Sequence, residues 1–328
     1  MNWNEFTQNC QLESNPVHAD CAVTALSSLG LIKVQGDDAR DFLQGQLTND
    51  ITAVTPDQGQ LSAWCTPKGR MLALLFIFQQ GDDLYLQLPR ELLEAVLKRL
   101  RMFVMRAQVT LEDVSDELGI MAASGECLAD LLDNIPDSDF SCDSSTELSF
   151  IRFPGNPLRL QIVGNPESLA SLLEKLQAAA TTISEQGWTL QNIHSAVPQL
   201  YKETTEAFIP QMLNLDLLQG ISFTKGCYTG QEVVARMKYL GQLKRRMYLA
   251  RFKSTDKVQA GDKLFSEQSK SAQGAGKIVS AVNVGDNQWE ALVVTEIAGF
   301  NSAEIRLWDE NGPVLNLSEP PYGLEAEE

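Results

Sequence analysis

An α+β fold is predicted for this chain of 328 residues, and three observations carry the prediction. Residues 29–115 alternate short apolar strands with helices. The Gly81-Asp82-Asp83 turn joins two strands directly, which a purely parallel sheet does not allow. From about Lys244 onward, short strands separated by Gly turns recur, the pattern of a small all-β module. With 44% hydrophobic residues the chain can bury a large core, and its length suggests two or three domains.

In chain order, residues 31–34 read as a strand and 37–47 as a helix, followed by a strand at 60–65, the Pro67-Lys68-Gly69 turn and an apolar strand at 71–78. After the Gly81 turn come a strand at 84–88 and a helix at 90–100. A second α+β unit runs from about 118 to 180, with a polar interruption at 137–145 and a helix at 168–179. The last ten residues, with Pro320, Pro321 and four acids, are expected to be extended or loose.

Met1-Asn2-Trp3-Asn4-Glu5 has no basic region ahead of an apolar one, and the run at 71–78 is too short to cross a bilayer, so a soluble cytoplasmic protein is expected. The six cysteines (10, 21, 65, 127, 142 and 227) contain no C-x-x-C pair, so neither a zinc ribbon nor a ferredoxin-type cluster cage is encoded, no metal site is assigned, and reduced thiols are expected. The net charge of −17 opposes a surface built to grip nucleic-acid backbone. Between Lys225 and Lys253, however, eight basic residues face one acid, Glu232, so this segment carries +7 and the remainder −24. Lys238, Lys244, Arg245 and Arg246 form the centre of that patch. It reads either as a solvated helix end and strand edge or as a seat for a polyanion.

The stretch most informative about function is Lys225-Gly226-Cys227-Tyr228-Thr229-Gly230-Gln231-Glu232. Thr229 and Glu232 have capping-box spacing, followed by Val233, Val234, Ala235, Met237 and Tyr239, with Gly241 as the stop. Cys227 then precedes a helix N-terminus, and with Lys225 nearby both features favour a thiolate, the nucleophilic and metal-binding form. A cysteine in a Gly-rich turn is also simply small; Gly226 and Gly230 framing a close approach is the feature that favours a functional reading. Two other motifs fail. Gly274-Ala275-Gly276-Lys277 is followed by Ile278 instead of the hydroxyl a phosphate loop needs, and the only histidines, His18 and His194, lie in no nucleophile motif. His194 reads as a structural, hydrogen-bonded residue.

Phe42-Leu43-Gln44-Gly45-Gln46-Leu47-Thr48-Asn49-Asp50, Pro67-Lys68-Gly69-Arg70, Phe208-Ile209-Pro210-Gln211 and the run from Ile221 to Arg236 together resemble the YgfZ family of bacterial folate-binding proteins. The first block is also similar to the wider family that includes the aminomethyltransferase of the glycine cleavage system. The resemblance implies a three-domain aminomethyltransferase-like ring with a central folate cavity. Its parts are a folate-binding α+β domain of 1–115 with 188–243, a second α+β domain of 116–187, and a C-terminal β-barrel with acidic tail of 244–328.

The implied ligand is tetrahydrofolate, held between two tryptophans. Trp188 matches the second, and the first falls on Leu29. The implied functional thiol is Cys227, supported by Lys225, Gly226, Tyr228, Gly230, Gln231, Glu232 and Arg236. The implied role is that of a monomeric accessory protein acting transiently on iron–sulfur enzymes or their assembly proteins, and through them on tRNA thiolation. Aminomethyltransferases place an Asp after the Gly turn, whereas this chain has Met71-Leu72-Ala73-Leu74, and His194-Ser195-Ala196 stands where relatives often have Glu-Ala-Gly. The alternatives are a folate-dependent one-carbon transferase and a direct tRNA-binding factor.

Overall fold

The computed structural model describes residues 3–324 apart from positions 13–14, 134, 145–146, 272–273 and 303. The chain opens with α1 (Trp3–Cys10) and β1 (Ala22–Ala25). It continues through β2 (Leu29–Gln35), α2 (Ala39–Gln46), β3 (Gln60–Cys65), β4 (Met71–Gln80), β5 (Asp83–Pro89), α3 (Arg90–Val104) and β6 (Thr110–Asp113). Strands β2 to β6 form an antiparallel sheet of order β3-β4-β5-β2-β6. The continuous apolar run of β4 is explained by burial on both faces. Leu75 and Ile77 pack with α2 and α3, while Phe76 and Phe78 face the opposite core. Gly81, at φ +61°, makes the turn into β5.

Next come β7 (Gly119–Ser124), α4 (Leu128–Leu131), β8 (Cys142–Asp143), β9 (Ser149–Phe153), β10 (Arg159–Gly164), α5 (Pro166–Leu176) and β11 (Thr181–Thr182). The second sheet has the order β11-β1-β7-β10-β9-β8. Because β1 pairs with β7 and β11, the N-terminal segment packs with this sheet, where a domain boundary at 115 would assign it to the first. Phe6 and Cys10 of α1 and the leucines of α5 cover its outer face. α5 starts two residues ahead of the expected 168, because the Asn165 side chain accepts from the Ser168 N–H as the N-cap and Pro166 opens the first turn.

This sheet also corrects the expectation of six reduced thiols. Cys21 and Cys127 form a disulfide with Cα atoms 6.0 Å apart. The β1–β7 pairing places Ala22 opposite Ser124, which brings the two flanking cysteines together across 106 residues of chain.

After α6 (Glu185–His194) and α7 (Gln231–Tyr239), the chain forms β12 (Arg245–Lys253), β13 (Lys263–Phe265), β14 (Gly276–Gly285), β15 (Gln288–Glu296), α8 (Ile297–Ser302), β16 (Arg306–Leu307) and β17 (Asn316–Ser318). The strand order is β16-β13-β14-β15-β12-β17. Register shifts in β14 between Ile278 and Ser280 and between Asn283 and Gly285 bend the sheet, which curls over Tyr248, Phe252, Ile278 and Val293. Its edge strands β16 and β17 do not pair, so among the described residues it is a curled open sheet instead of a closed barrel. Of the tail at 319–328, expected to be extended or loose, residues 325–328 lie outside the described residues, whereas Tyr322 is tied down, accepting from Asn214 Nδ2 at 3.2 Å and donating to the Ala196 carbonyl at 3.1 Å.

One core is common to all three sheets. Leu31 and Phe76, Ile151 and Val163, and Met247 and Leu292 meet there around Trp188 and Ile193 of α6. Among the described residues no helix is long and apolar enough to cross a membrane.

Candidate functional site

The four blocks that stood out in the sequence assemble into one hydrogen-bonded unit. Thr48 Oγ1 donates to the Gly220 carbonyl at 2.8 Å, and its own carbonyl accepts from the Ser222 N–H at 3.0 Å. Asn49 Nδ2 donates to the carbonyls of Gln219 at 2.7 Å and Leu61 at 2.9 Å. Arg70 donates to the Ala207 carbonyl at 2.7 Å, and Gln211 Nε2 to that of Val234 at 2.7 Å.

Lys225 closes the unit, its ammonium donating to the carbonyls of Leu47 at 2.8 Å and Asn49 at 2.7 Å. Leu47 caps the C-terminus of α2, where unpaired carbonyls and the helix dipole favour a cation. Lys225 is thus the clamp of the Cys227 loop. Burial pulls it down from the ordinary 10.5 to about 8, against a weaker opposing pull from Asp50. Its folded value lies below its unfolded one, so between about pH 8 and 10.5 the unfolded chain binds more protons and stability rises with pH. The cost of the buried charge is fully present below that window. Melting temperatures across it are expected to shift in favour of wild type relative to Lys225→Met as pH rises; parallel curves would show that Lys225 titrates as in water.

Tyr228 anchors the loop from beneath. Its ring is buried, burial pushes its phenol up, and the Lys225 ammonium stands 5.4 Å from the ring centroid. Cys227 is exposed, whereas the other free thiols, Cys10, Cys65 and Cys142, are buried. Burial pushes Cys65 and Cys142 up to about 12, and raises Cys10 as well. No three His, Cys, Asp or Glu side chains come together as a metal site among the described residues.

The capping box does not form. Gly230 is the N-cap of α7 at φ +87° with no side-chain cap, and Glu232 instead pairs with Arg236 at 3.5 Å. The cause is packing: a Cβ on Gly230 would lie 2.5 Å from the Thr66 carbonyl oxygen, so only glycine lets the turn at 66–69 and the start of α7 touch. Gly226, by contrast, has open space around it. Gln231 opens α7, Val234 is its buried residue, and Gly241 returns its N–H to Arg236 at the end.

The cationic segment is divided in space. Arg246 makes a two-pronged pair with Asp216 at 2.6 and 2.8 Å, and Arg245 and Arg251 pair with Glu296 and Glu290 at 3.4 Å each. Lys244 is exposed, and Lys238 stands 4.1 Å over the Phe223 ring. Much of the +7 is therefore met by acids distant in sequence. His194 pairs with Glu290 at 2.8 Å, tying α6 to β15.

Trp188 and Leu29 line one cavity of about 50 Å³, with Leu61, Leu74, Gln87 and Gln161. Both glutamines are buried, and the Oε1 of each lacks a hydrogen-bond partner. One face of Trp188 carries the Arg159 guanidinium at 4.1 Å, and Phe153 meets it edge-on at 5.6 Å. Arg159 is fully buried with neutral acceptors: the Pro154 carbonyl at 2.6 Å, Ser195 Oγ at 2.9 Å and Asn192 Oδ1 at 2.5 Å. Burial pulls it down to about 9. Arg159 and Gln161 were missed by sequence reasoning, although two polar residues inside an otherwise apolar strand were a usable signal. Leu61 also lines a larger hollow of about 920 Å³ bounded by Asn49, Asp50, Phe140, Asp216, Phe223 and Lys238.

The fold and this site define a protein of the aminomethyltransferase architecture. Residues 2–159 match the GCVT N-terminal domain family. The structure of the glycine cleavage system aminomethyltransferase T from Bartonella henselae superposes with a TM-score of 0.70 over 93% of this chain and 87% of that one, at 14% identity. The chain is 32% identical over 308 residues to the tRNA-modifying protein YgfZ of Photorhabdus laumondii, covering 92% of this chain and 93% of that protein. It is 30% identical over 327 residues to that of Colwellia psychrerythraea, covering 98% and 99%. The chain belongs to the YgfZ family.

Proposed function

We propose that this protein is a tetrahydrofolate-binding accessory factor that supports assembly or repair of iron–sulfur enzymes and thereby tRNA thiolation, with Cys227 as its functional thiol. The observation that carries the reading is the exposed Cys227 on a loop clamped by Lys225 to the end of α2, while the other free thiols lie buried. The chain's relatives are named tRNA-modifying proteins, which agrees with the reading.

For the folate, the donor and acceptor set is suitable. Trp188 offers a ring surface, and the orphaned oxygens of Gln87 and Gln161 would accept from the N–H edge of a pterin. Lys238 at the larger hollow would attract the carboxylate tail. A cavity of about 50 Å³ holds a water or two, so the aliphatic side chains of Leu29 or Leu61 must yield for a bicyclic ring to enter. One-carbon transfer is the weaker reading, because Met71 to Leu74 are buried apolar residues and supply no carboxylate.

Tryptophan-fluorescence titration with tetrahydrofolate tests the ligand. Saturable quenching is expected in the wild type and its loss in Trp188→Ala. Since that truncation costs about 3–5 kcal/mol, Gln87→Leu with Gln161→Leu serves as a second variant. Removing two unsatisfied acceptors should raise the melting temperature while weakening folate binding at least tenfold. Absence of saturation in the wild type would overturn the folate assignment.

A further inference from the structure

A second cleft, of about 580 Å³, lies between the Arg70 turn and the C-terminal sheet, within the ~300–1,000 Å³ range of small-molecule sites. Arg70, Arg245, Lys263 and Lys277 line it, together with Phe265 and Trp308. Its one carboxylate is Glu206; Glu296, paired with Arg245, is not among the lining residues. In a chain of net charge −17 this is a local reversal of sign.

The arrangement is costly without a ligand. Lys263 and Lys277 are direct cross-strand partners of β13 and β14, so two ammonium groups share one face, where like charges destabilise a sheet. Neither they nor Arg70 form an ion pair among the described residues. Trp308 is held in the left-handed region at φ +64°, its backbone N–H donating to the Lys263 carbonyl at 2.8 Å. Non-glycine backbone in that region persists only where its surroundings enforce it, and it recurs at ligand sites.

We propose that this cleft binds the phosphate of a nucleotide, with Lys263 and Lys277 as the phosphate partners and Trp308 as the stacking surface for the base. Paired ammonium groups neutralise a phosphate, and base–aromatic stacking tolerates any base. The ligand is either a free nucleotide or one unit of a single-stranded RNA segment. The lining of the cleft shares no residue with the folate cavity and does not include Cys227.

The full-length protein is titrated with AMP, with adenosine, and with a single-stranded RNA oligomer at low salt, reading tryptophan fluorescence. Saturable binding of AMP but not adenosine is expected, at least tenfold weaker in Lys263→Gln with Lys277→Gln. That variant removes only exposed or half-exposed like charges, so its melting temperature should equal or exceed that of the wild type. RNA that binds more tightly than AMP, is displaced by it, and loses about 0.7 from its log–log salt slope in the variant, one phosphate contact, identifies RNA as the source. RNA that binds no better than AMP identifies a free nucleotide. Failure of the wild type to saturate with AMP or RNA, or equal affinity in the double variant, overturns the proposal.

Discussion

Cells whose only copy of this protein carries Cys227→Ser are expected to lose tRNA thiolation and cluster-enzyme activity to the level of a deletion, while the purified variant keeps the wild-type melting temperature. The two halves of the expectation have different physical sources. Cys227 is exposed on its loop, so exchanging sulfur for oxygen disturbs little packing, and surface changes of this kind stay within about 0.5 kcal/mol. The chemistry does not survive the exchange, because a thiolate is the nucleophile or metal ligand and a serine hydroxyl is not ionised near neutral pH. Cys65→Ser is the contrasting control. It places a hydroxyl in an apolar core and should lower stability, yet leave thiolation in proportion to the folded protein that remains. Full thiolation and full cluster-enzyme activity in Cys227→Ser cells would remove the thiol from the mechanism.

What could be read from the sequence and what could not divides along chain distance. The strand at 71–78, its turn at Gly81 and the helix beginning at Arg90 were legible because their signals are local: an apolar run, a turn glycine and a helical period. β1 was not, since a strand of four residues, paired antiparallel with β7 and through Ala22 and Val23 in parallel with Thr181–Thr182, leaves no local pattern. The Cys21–Cys127 bridge is a consequence of the pairing of β1 with β7.

Charge pairing is hidden from the sequence for the same reason. The basic segment looked continuous because its counter-ions, Asp216, Glu290 and Glu296, sit outside it, while the cleft that does gather cations draws on residues 70, 245, 263 and 277, of which Arg245 alone has an ion pair among the described residues. Within the site, the importance of Lys225 was visible but its direction was not. It faces the carbonyls of Leu47 and Asn49, groups that carry no side-chain signal. Leu29 and Trp188, 159 positions apart, were paired only through family resemblance, and they do line one cavity.

Gly230→Ala is expected to destabilise the protein by about 2–5 kcal/mol, combining the ~1–2 kcal/mol of a left-handed residue with a Cβ and the ~1–3 kcal/mol of overpacking. Both terms act at one atom. Gly230 sits at φ +87°, and a methyl there would lie 2.5 Å from the Thr66 carbonyl oxygen and 3.3 Å from Cys65 Cβ, neither of which can move without shifting the end of β3. Gly226→Ala in the same loop has nothing within 4 Å and no positive φ, so its midpoint in chemical denaturation should match or slightly exceed the wild type.

Equal destabilisation by the two substitutions would refute the packing account of the motif. The pair also separates structure from function. Gly230→Ala should lose thiolation because α7 and the Cys227 loop no longer seat against the turn at 66–69, a defect that follows the fraction folded. If Gly226→Ala loses thiolation at unchanged stability, the cause is the surface it shares with Cys227, and the open space around Gly226 is then where a partner must approach.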